Sequence, residues 1–161
     1  MSAGWDTELG VKYRFIDPGE DDWYPQLGVF PLVELPTGNA ARGLGAGKWR
    51  AYLPVWLQKD WGDWTSYGGG GYWINPGPGN RNYWFAGWLL QRQVTKQLAI
   101  GAELFHQTAD SQNGRDSTGF NIGGVFDVSE TYHLLFSAGK GLQNAADSNQ
   151  FSYYLALQST W

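Results

Sequence analysis

An all-β, antiparallel fold is what this sequence predicts, on three observations. Apolar and polar residues alternate with period two in segment after segment, glycine and aromatic residues dominate the composition, and the connections alternate between short and long. The 161 residues include 23 Gly, 10 Trp, 9 Tyr and 8 Phe, with 16% charged residues and a net charge of −4. A glycine in a helix interior costs about 1 kcal/mol, whereas aromatic rings favour the pleated surface of strands. This composition fits neither a disordered chain nor a basic nucleic-acid-binding module. Cysteine is absent, which removes disulfide scaffolds, thiol catalysis and cysteine-based zinc sites. The longest run of apolar residues and glycine, 83–90, falls well short of the ~20 residues of a membrane-spanning helix.

Residues 5–15 alternate strictly: Trp5, Thr7, Leu9, Val11, Tyr13 and Phe15 oppose Asp6, Glu8, Gly10, Lys12 and Arg14. A strand with one apolar and one charged face separates two different media. In 25–35, Leu27, Val29, Val33 and Leu35 oppose Gln26, Gly28 and Glu34, while Phe30 and Leu32 blur the polar side. Trp49, Ala51, Leu53, Val55 and Leu57 then face away from Arg50, Tyr52, Trp56 and Gln58. A strand is also predicted at 64–74, where the four glycines 68–71 hide the phase. Trp84, Ala86, Trp88 and Leu90 oppose Tyr83, Phe85, Gly87 and Gln91, and Leu98, Ile100, Ala102 and Leu104 oppose Gly101, Glu103, Phe105 and Gln107. Phe120, Ile122, Gly124 and Phe126 oppose Asn121, Gly123 and Asp127, and Tyr132, Leu134, Phe136 and Ala138 oppose His133, Ser137 and Gly139. The last segment sets Phe151, Tyr153, Leu155, Leu157 and Trp161 against Ser152, Tyr154, Ala156 and Gln158. That makes nine strands and no helix.

Several of these segments exceed the usual 5 to 6 residues of a globular strand and match the roughly 9 to 11 of a tilted membrane strand. Connections at 95–97 and 129–131 are tight and those at 59–63 and 17–23 fairly short, whereas 37–48, 75–82, 109–117 and 143–149 are long and rich in glycine and polar residues. Short turns at one end and long loops at the other are the habit of transmembrane β-barrels of the bacterial outer membrane, whose short turns are periplasmic. Trp23, Tyr24, Trp49, Trp61, Trp64, Trp73, Tyr83, Trp84, Tyr132, Phe151, Tyr153 and Trp161 fall near strand ends, as two interfacial girdles require. The predicted fold is therefore an antiparallel transmembrane β-barrel forming one domain over 1–161, in contact with outer-membrane lipid.

The terminal pattern Phe151, Tyr153, Leu155, Leu157, Trp161 resembles the C-terminal signal by which outer-membrane proteins engage their barrel-assembly machinery, with Ser159 at a place where an apolar residue would be stronger. The runs Leu-Pro-Thr-Gly-Asn at 35–39, Gly-Leu-Gly-Ala-Gly at 43–47, Leu-Pro-Val-Trp-Leu-Gln-Lys at 53–59 and Tyr-Gly-Gly-Gly-Gly-Tyr-Trp-Ile-Asn-Pro-Gly at 67–77 resemble the Gram-negative outer-membrane transporter family named for the MetA pathway of phenol degradation. The resemblance covers most of the chain, is densest between residues 35 and 107, and rests on loop and turn motifs. It implies passive uptake of hydrophobic or aromatic compounds.

Strand parity adds an expectation. Single-chain bacterial barrels have even strand numbers and both termini in the periplasm. Nine strands ending in the periplasm would begin outside the cell, and 1–4 carries no secretory leader. The chain is expected to be N-terminally truncated from a barrel of ten to twelve strands; a miscount at the four glycines is the alternative.

On this phase Asp6, Glu8, Glu34, Glu103 and Asp127 line the lumen with Lys12, Arg14 and Arg50. Their slight acidic excess predicts a wet, ion-paired interior or a weakly cation-preferring path. Tyr52, Trp56, Phe85, Phe105 and Tyr154 share that wall and suit an aromatic or amphipathic solute, or else plug the lumen as packing. Loop 37–48, with Arg42, is either a plain external loop or a constriction folded inward.

Catalytic patterns are weak. His106 projects with the lipid-facing set and His133 inward, at opposite ends; Ser137 shares a face with His133 but lies roughly 13 Å away along the strand at ~3.3 Å per residue, beyond hydrogen-bond reach. His106 with Thr108 and a residue of a neighbouring strand could process lipid, though an interfacial histidine is the more ordinary reading. The glycines of 43–48 lack P-loop spacing and precede a strand, and no His/Asp/Glu cluster has metal-ligand spacing. The expected function is a non-enzymatic, cofactor-free outer-membrane channel for small hydrophobic or aromatic solutes. A soluble β-sandwich presenting tryptophans to carbohydrate, or a barrel acting on lipid, are the alternatives.

Overall fold

The computed structural model describes residues 6–19, 22–146 and 150–160. They form one antiparallel sheet: β1 (Thr7–Gly10), β2 (Tyr13–Ile16), β3 (Gln26–Val29), β4 (Leu32–Leu35), β5 (Arg50–Trp61), β6 (Trp64–Ile74), β7 (Tyr83–Thr95), β8 (Leu98–Gln107), β9 (Ser117–Asp127), β10 (Tyr132–Gln143) and β11 (Ser152–Ser159). A single 3₁₀ turn at Ala40–Arg42 is the described helical structure. From β5 onward each strand pairs with the next in sequence, so the sheet is a meander. No pairing joins β1 or β2 to β11 among the described residues, and the sheet is not closed upon itself.

Two predicted strands are interrupted, and the interruptions coincide. β1 pairs with β4 and β2 with β3, while β3 and β4 lie end to end along β5. Segments 7–16 and 26–35 are thus single strand paths, each broken at its middle, and counting them so returns nine. Pro31, which has no N–H to give a ladder, sits in one break, and the Val11 N–H crosses to its carbonyl at 3.0 Å. Pro54 of β5 lies opposite this gap, just past the Leu32–Tyr52 pair, and is fully buried. Its ring sits close over Gly71, where an added Cβ would lie 2.5 Å from the Pro54 Cα.

The end-to-end asymmetry of the connections holds from β5 onward, but 17–25, which joins β2 to β3 at the short-turn end, is as long as 108–116. Gly62 and Asp63 alone join β5 to β6, with Gly62 at φ 55° as the first central residue of a tight hairpin demands. Lys96 and Gln97 join β7 to β8, and 128–131 join β9 to β10. At the other end run 36–49, 75–82, 108–116 and 144–151. These long loops lash to one another: the Arg81 N–H donates to the Asp110 carbonyl at 2.8 Å, the Gln112 N–H to the Gly79 carbonyl at 2.8 Å, and Asn144 Nδ2 to the Asp116 carbonyl at 2.7 Å.

Pairing register assigns every side chain to one of two faces, including the phase hidden by the four glycines. Gly69 pairs with Trp56 and Gly87, so Thr65, Tyr67, Gly69, Gly71 and Trp73 share the Tyr52 face, and Trp64, Ser66, Gly68, Gly70 and Tyr72 share the other. The two faces differ in shelter. Glu34, Tyr52 and Tyr83 on the first are 5%, 7% and 7% exposed; Trp84, Leu104 and Leu155 on the second are 60%, 54% and 69% exposed. The second face is apolar across its middle, where Leu53, Val55, Trp88, Leu90, Ile100 and Ile122 stand out from it, with Lys59, Arg92, His106 and Lys140 toward the strand ends. In a water-soluble sheet the assignment runs the other way.

Candidate functional site

The sheltered face carries nearly the whole set of predicted wall residues. Glu8 pairs opposite Glu34, Glu34 opposite Arg50, Phe85 opposite Gln107, and Phe105 opposite Gly87 and Gly119; Glu103 pairs with Asn121, Asp127 with His133, and Tyr154 with Ser137. Tyr154 is the most open of the aromatics here, because β11 has a described neighbour on one side only.

Near the long-loop end, rings form a continuous slab. Tyr52 stacks on Trp73 at 4.8 Å, Trp73 on Tyr83 at 5.9 Å, Phe85 meets Tyr52 edge-on at 6.5 Å and stacks on Phe105 at 6.4 Å. Trp73 and Tyr83 therefore leave the predicted interfacial girdle. The placement of Trp73 follows from the β6 phase, which the glycines concealed, and that of Tyr83 from the β7 alternation that sets it beside Phe85. The Arg50 guanidinium lies 5.1 Å above the Trp73 ring and donates through Nε and Nη2 to Glu34 Oε2 at 3.1 and 2.5 Å. A buried carboxylate is tolerable only with such a partner.

Asp6 corrects the predicted wall. Its carboxylate turns into loop 36–49, accepting the Gly38 N–H at 2.8 Å and the Ala46 N–H at 2.6 Å, while the Thr7 N–H donates to Thr37 Oγ1 at 2.9 Å. The Ala46 and Gly38 amides, in that order, hold the Asp6 carboxyl below its ordinary pKa. Gly45, at φ 145°, lets the loop close over the carboxylate: a Cβ there would lie 2.4 Å from Asp6 Oδ1. The loop is thereby stapled to the rim.

Toward the short-turn end the sheltered face opens into a cleft of about 220 Å³ between β2, β3, β5 and β6. Lys12, Arg14, Gln26, Gln58, Trp56 and Tyr67 line it, with Trp56 and Tyr67 stacked at 5.4 Å and 7° between planes. No carboxylate is among its lining residues. The Glu8–Glu34–Arg50 group lies in the upper part of the face and two cations line the cleft, where Asp17 pairs with Arg14 at 3.0 Å and Asp60 accepts from Gln58 at 2.9 Å.

Glu103 and Asp127 occupy the far side. Asn121 Nδ2 donates to Glu103 Oε2 at 3.1 Å. Asp127 Oδ1 lies 2.6 Å from His133 Nδ1, and His133 Nε2 lies 2.9 Å from Thr160 Oγ1, an alignment missed in the sequence because Thr160 follows its partner by 27 positions. It has the order of a hydrolytic triad, yet the Thr160 N–H, a natural oxyanion donor, is spent on the Thr131 carbonyl at 2.9 Å. The group ties the end of β11 to the β9–β10 turn.

On the apolar face, His106 Nδ1 meets Thr118 Oγ1 at 2.9 Å, and that hydroxyl donates to Gln143 Oε1 at 2.8 Å. With its proton committed to Gln143, the hydroxyl has none for His106 to abstract. Thr108 instead accepts the Trp84 N–H at 2.9 Å, so the expected His106–Thr108 pair does not form. Tyr153, Leu155 and Leu157 of the terminal pattern lie on this face opposite Ala138, Phe136 and Leu134, Phe151 precedes β11 and is exposed, and Trp161 is outside the described residues. Among the described residues no cluster of His, Asp and Glu could hold a metal ion, and no helix is long and apolar enough to cross a membrane.

No protein-family model matches this chain, and no curated protein matches it.

Proposed function

We propose that the sheet is the wall of an outer-membrane β-barrel that lets small hydrophobic or aromatic solutes pass down their gradient, as the resemblance of its loop motifs to the phenol-degradation transporter family implies. One observation carries the reading: the exposed face is apolar across its middle, with Lys59, Arg92, His106 and Lys140 toward the strand ends, while most charged and amide side chains and the stacked aromatics occupy the sheltered face. Lipid is the medium that such an outer face suits, because apolar area of this extent in water opposes solubility. The partners follow from the same surfaces: lipid for the apolar face, and the barrel-assembly machinery for Phe151, Tyr153, Leu155, Leu157 and Trp161. Closing the wall needs the edges at β1–β2 and β11 to be paired, since unpaired backbone groups cannot face hydrocarbon.

Partition and flux test this together. The protein is expected to sediment with outer membranes, to require detergent for extraction, and to make liposomes permeable to small aromatic solutes. A chain that stays in solution without detergent would overturn the membrane reading in favour of the soluble carbohydrate-binding alternative. A membrane-inserted chain with no flux would overturn the transport part.

A further inference from the structure

We infer that the cleft between β2, β3, β5 and β6 binds a small aromatic carboxylate. Its role as a station for a passing solute rests on the transport reading; the binding itself does not. The cleft offers complementary groups at one place. Lys12 and Arg14 supply positive charge, Gln26 supplies an amide, and the stacked Trp56 and Tyr67 rings supply an aromatic wall, while the Gln58 amide is held by Asp60 Oδ2 at 2.9 Å. A ring with one anionic substituent uses all three, whereas a neutral aromatic leaves the cations unused and an aliphatic acid leaves the rings unused. Cations and carboxylates form charge-assisted hydrogen bonds roughly twice as strong as neutral ones.

Availability of the cations supports the assignment. Lys12 forms no ion pair among the described residues, and the Arg14 guanidinium holds Asp17 at 3.0 Å in a pair whose side chains are 48% and 61% exposed. Exposed pairs of this kind contribute about 0–1 kcal/mol, so Arg14 exchanges Asp17 for an incoming carboxylate at small cost. Size limits the guest. At about 220 Å³ the cleft is below the ~300–1,000 Å³ of pockets for drug-sized ligands, and a single ring is the guest of that size. Gly69, at φ 155°, packs against Trp56, where an added Cβ would be 3.1 Å from the indole Cε3.

Equilibrium dialysis of the detergent-solubilised full chain against labelled benzoate, benzyl alcohol and hexanoate tests the inference. Benzoate is expected to be retained at least tenfold more tightly than either comparison solute. Lys12→Gln is expected to weaken benzoate about tenfold and leave benzyl alcohol unchanged, with Lys12→Arg restoring binding. Trp56→Leu is expected to remove the advantage of benzoate over hexanoate, and unchanged strand content by circular dichroism identifies a folded variant. Equal retention of benzoate and benzyl alcohol, or wild-type benzoate retention by Lys12→Gln, would overturn the inference. Liposome flux separates the two readings: benzoate bound without flux retains the cleft and removes the channel, while flux of neutral aromatics with no benzoate preference does the reverse.

Discussion

At the centre of β9, Asn121 and Ile122 are neighbours in sequence and face opposite ways. Asn121 donates to Glu103 at 3.1 Å and its Oδ1 lies 3.2 Å from Ser152 Oγ, whereas Ile122 is 55% exposed. One strand over, Phe105 stacks on Phe85 and lies against Gly119, while Leu104 stands open beside Trp88 and Phe120. On the sheltered face most polar groups find partners and rings find rings, the buried Tyr52 hydroxyl being an exception among the described residues. On the other, large apolar side chains find little protein at all. The sheet thus has its polar side largely satisfied by the chain and its apolar side left for a medium that the chain does not supply.

The largest expected effect breaks the sheltered side. Arg50→Met removes the partner of buried Glu34 and is expected to lower stability by about 3–5 kcal/mol, with Arg50→Lys losing less because the charge remains; denaturant unfolding in detergent measures both, and a wild-type midpoint for Arg50→Met would show that Glu34 does not depend on the pair. The next effect probes the other face. Ile122→Lys in mid-strand is expected to cost about 2–4 kcal/mol for folding into lipid vesicles, against a change within about 0.5 kcal/mol at an ordinary watery surface. The small value in vesicles would place this face in water.

The smallest effect concerns the rim. Asp6 has its carboxyl pKa lowered in the folded chain, so the hold it gives loop 36–49 is complete above the ordinary carboxylate range and is lost as pH falls through the lowered value. Hydrogen exchange at the Gly38 and Ala46 amides should accelerate at that acid step in wild type, while Asp6→Asn should show fast exchange at neutral pH and no step. Protection that ignores both pH and the substitution would mean that the threonine pair and glycine turns close the loop unaided.

Much of this arrangement was legible in the sequence because a strand repeats every two residues, so a run such as Leu98 to Gln107 declares both faces without reference to its neighbours. The limits are equally local. Four glycines carry no side chain to mark a phase, and with the phase of β6 went the placement of Trp73; Tyr83 was misplaced with it because both were assigned by closeness to strand ends. The Pro31 interruption and the burial of Pro54 depend on two separate segments meeting at one level. Asp6 looked like a wall residue by alternation, but its amide partners lie 32 and 40 residues away.

Alternation alone determined the number of strand paths and the membership of the two faces in all but one strand. Tertiary structure decided which residues meet: Arg50 with Glu34 and Trp73, Trp56 with Tyr67 beside Lys12 and Arg14, and Asp6 with its loop. The reason is physical. A strand's facing is a property of its own backbone geometry, whereas contacts across a sheet depend on register and on the path of loops, which distant residues set together.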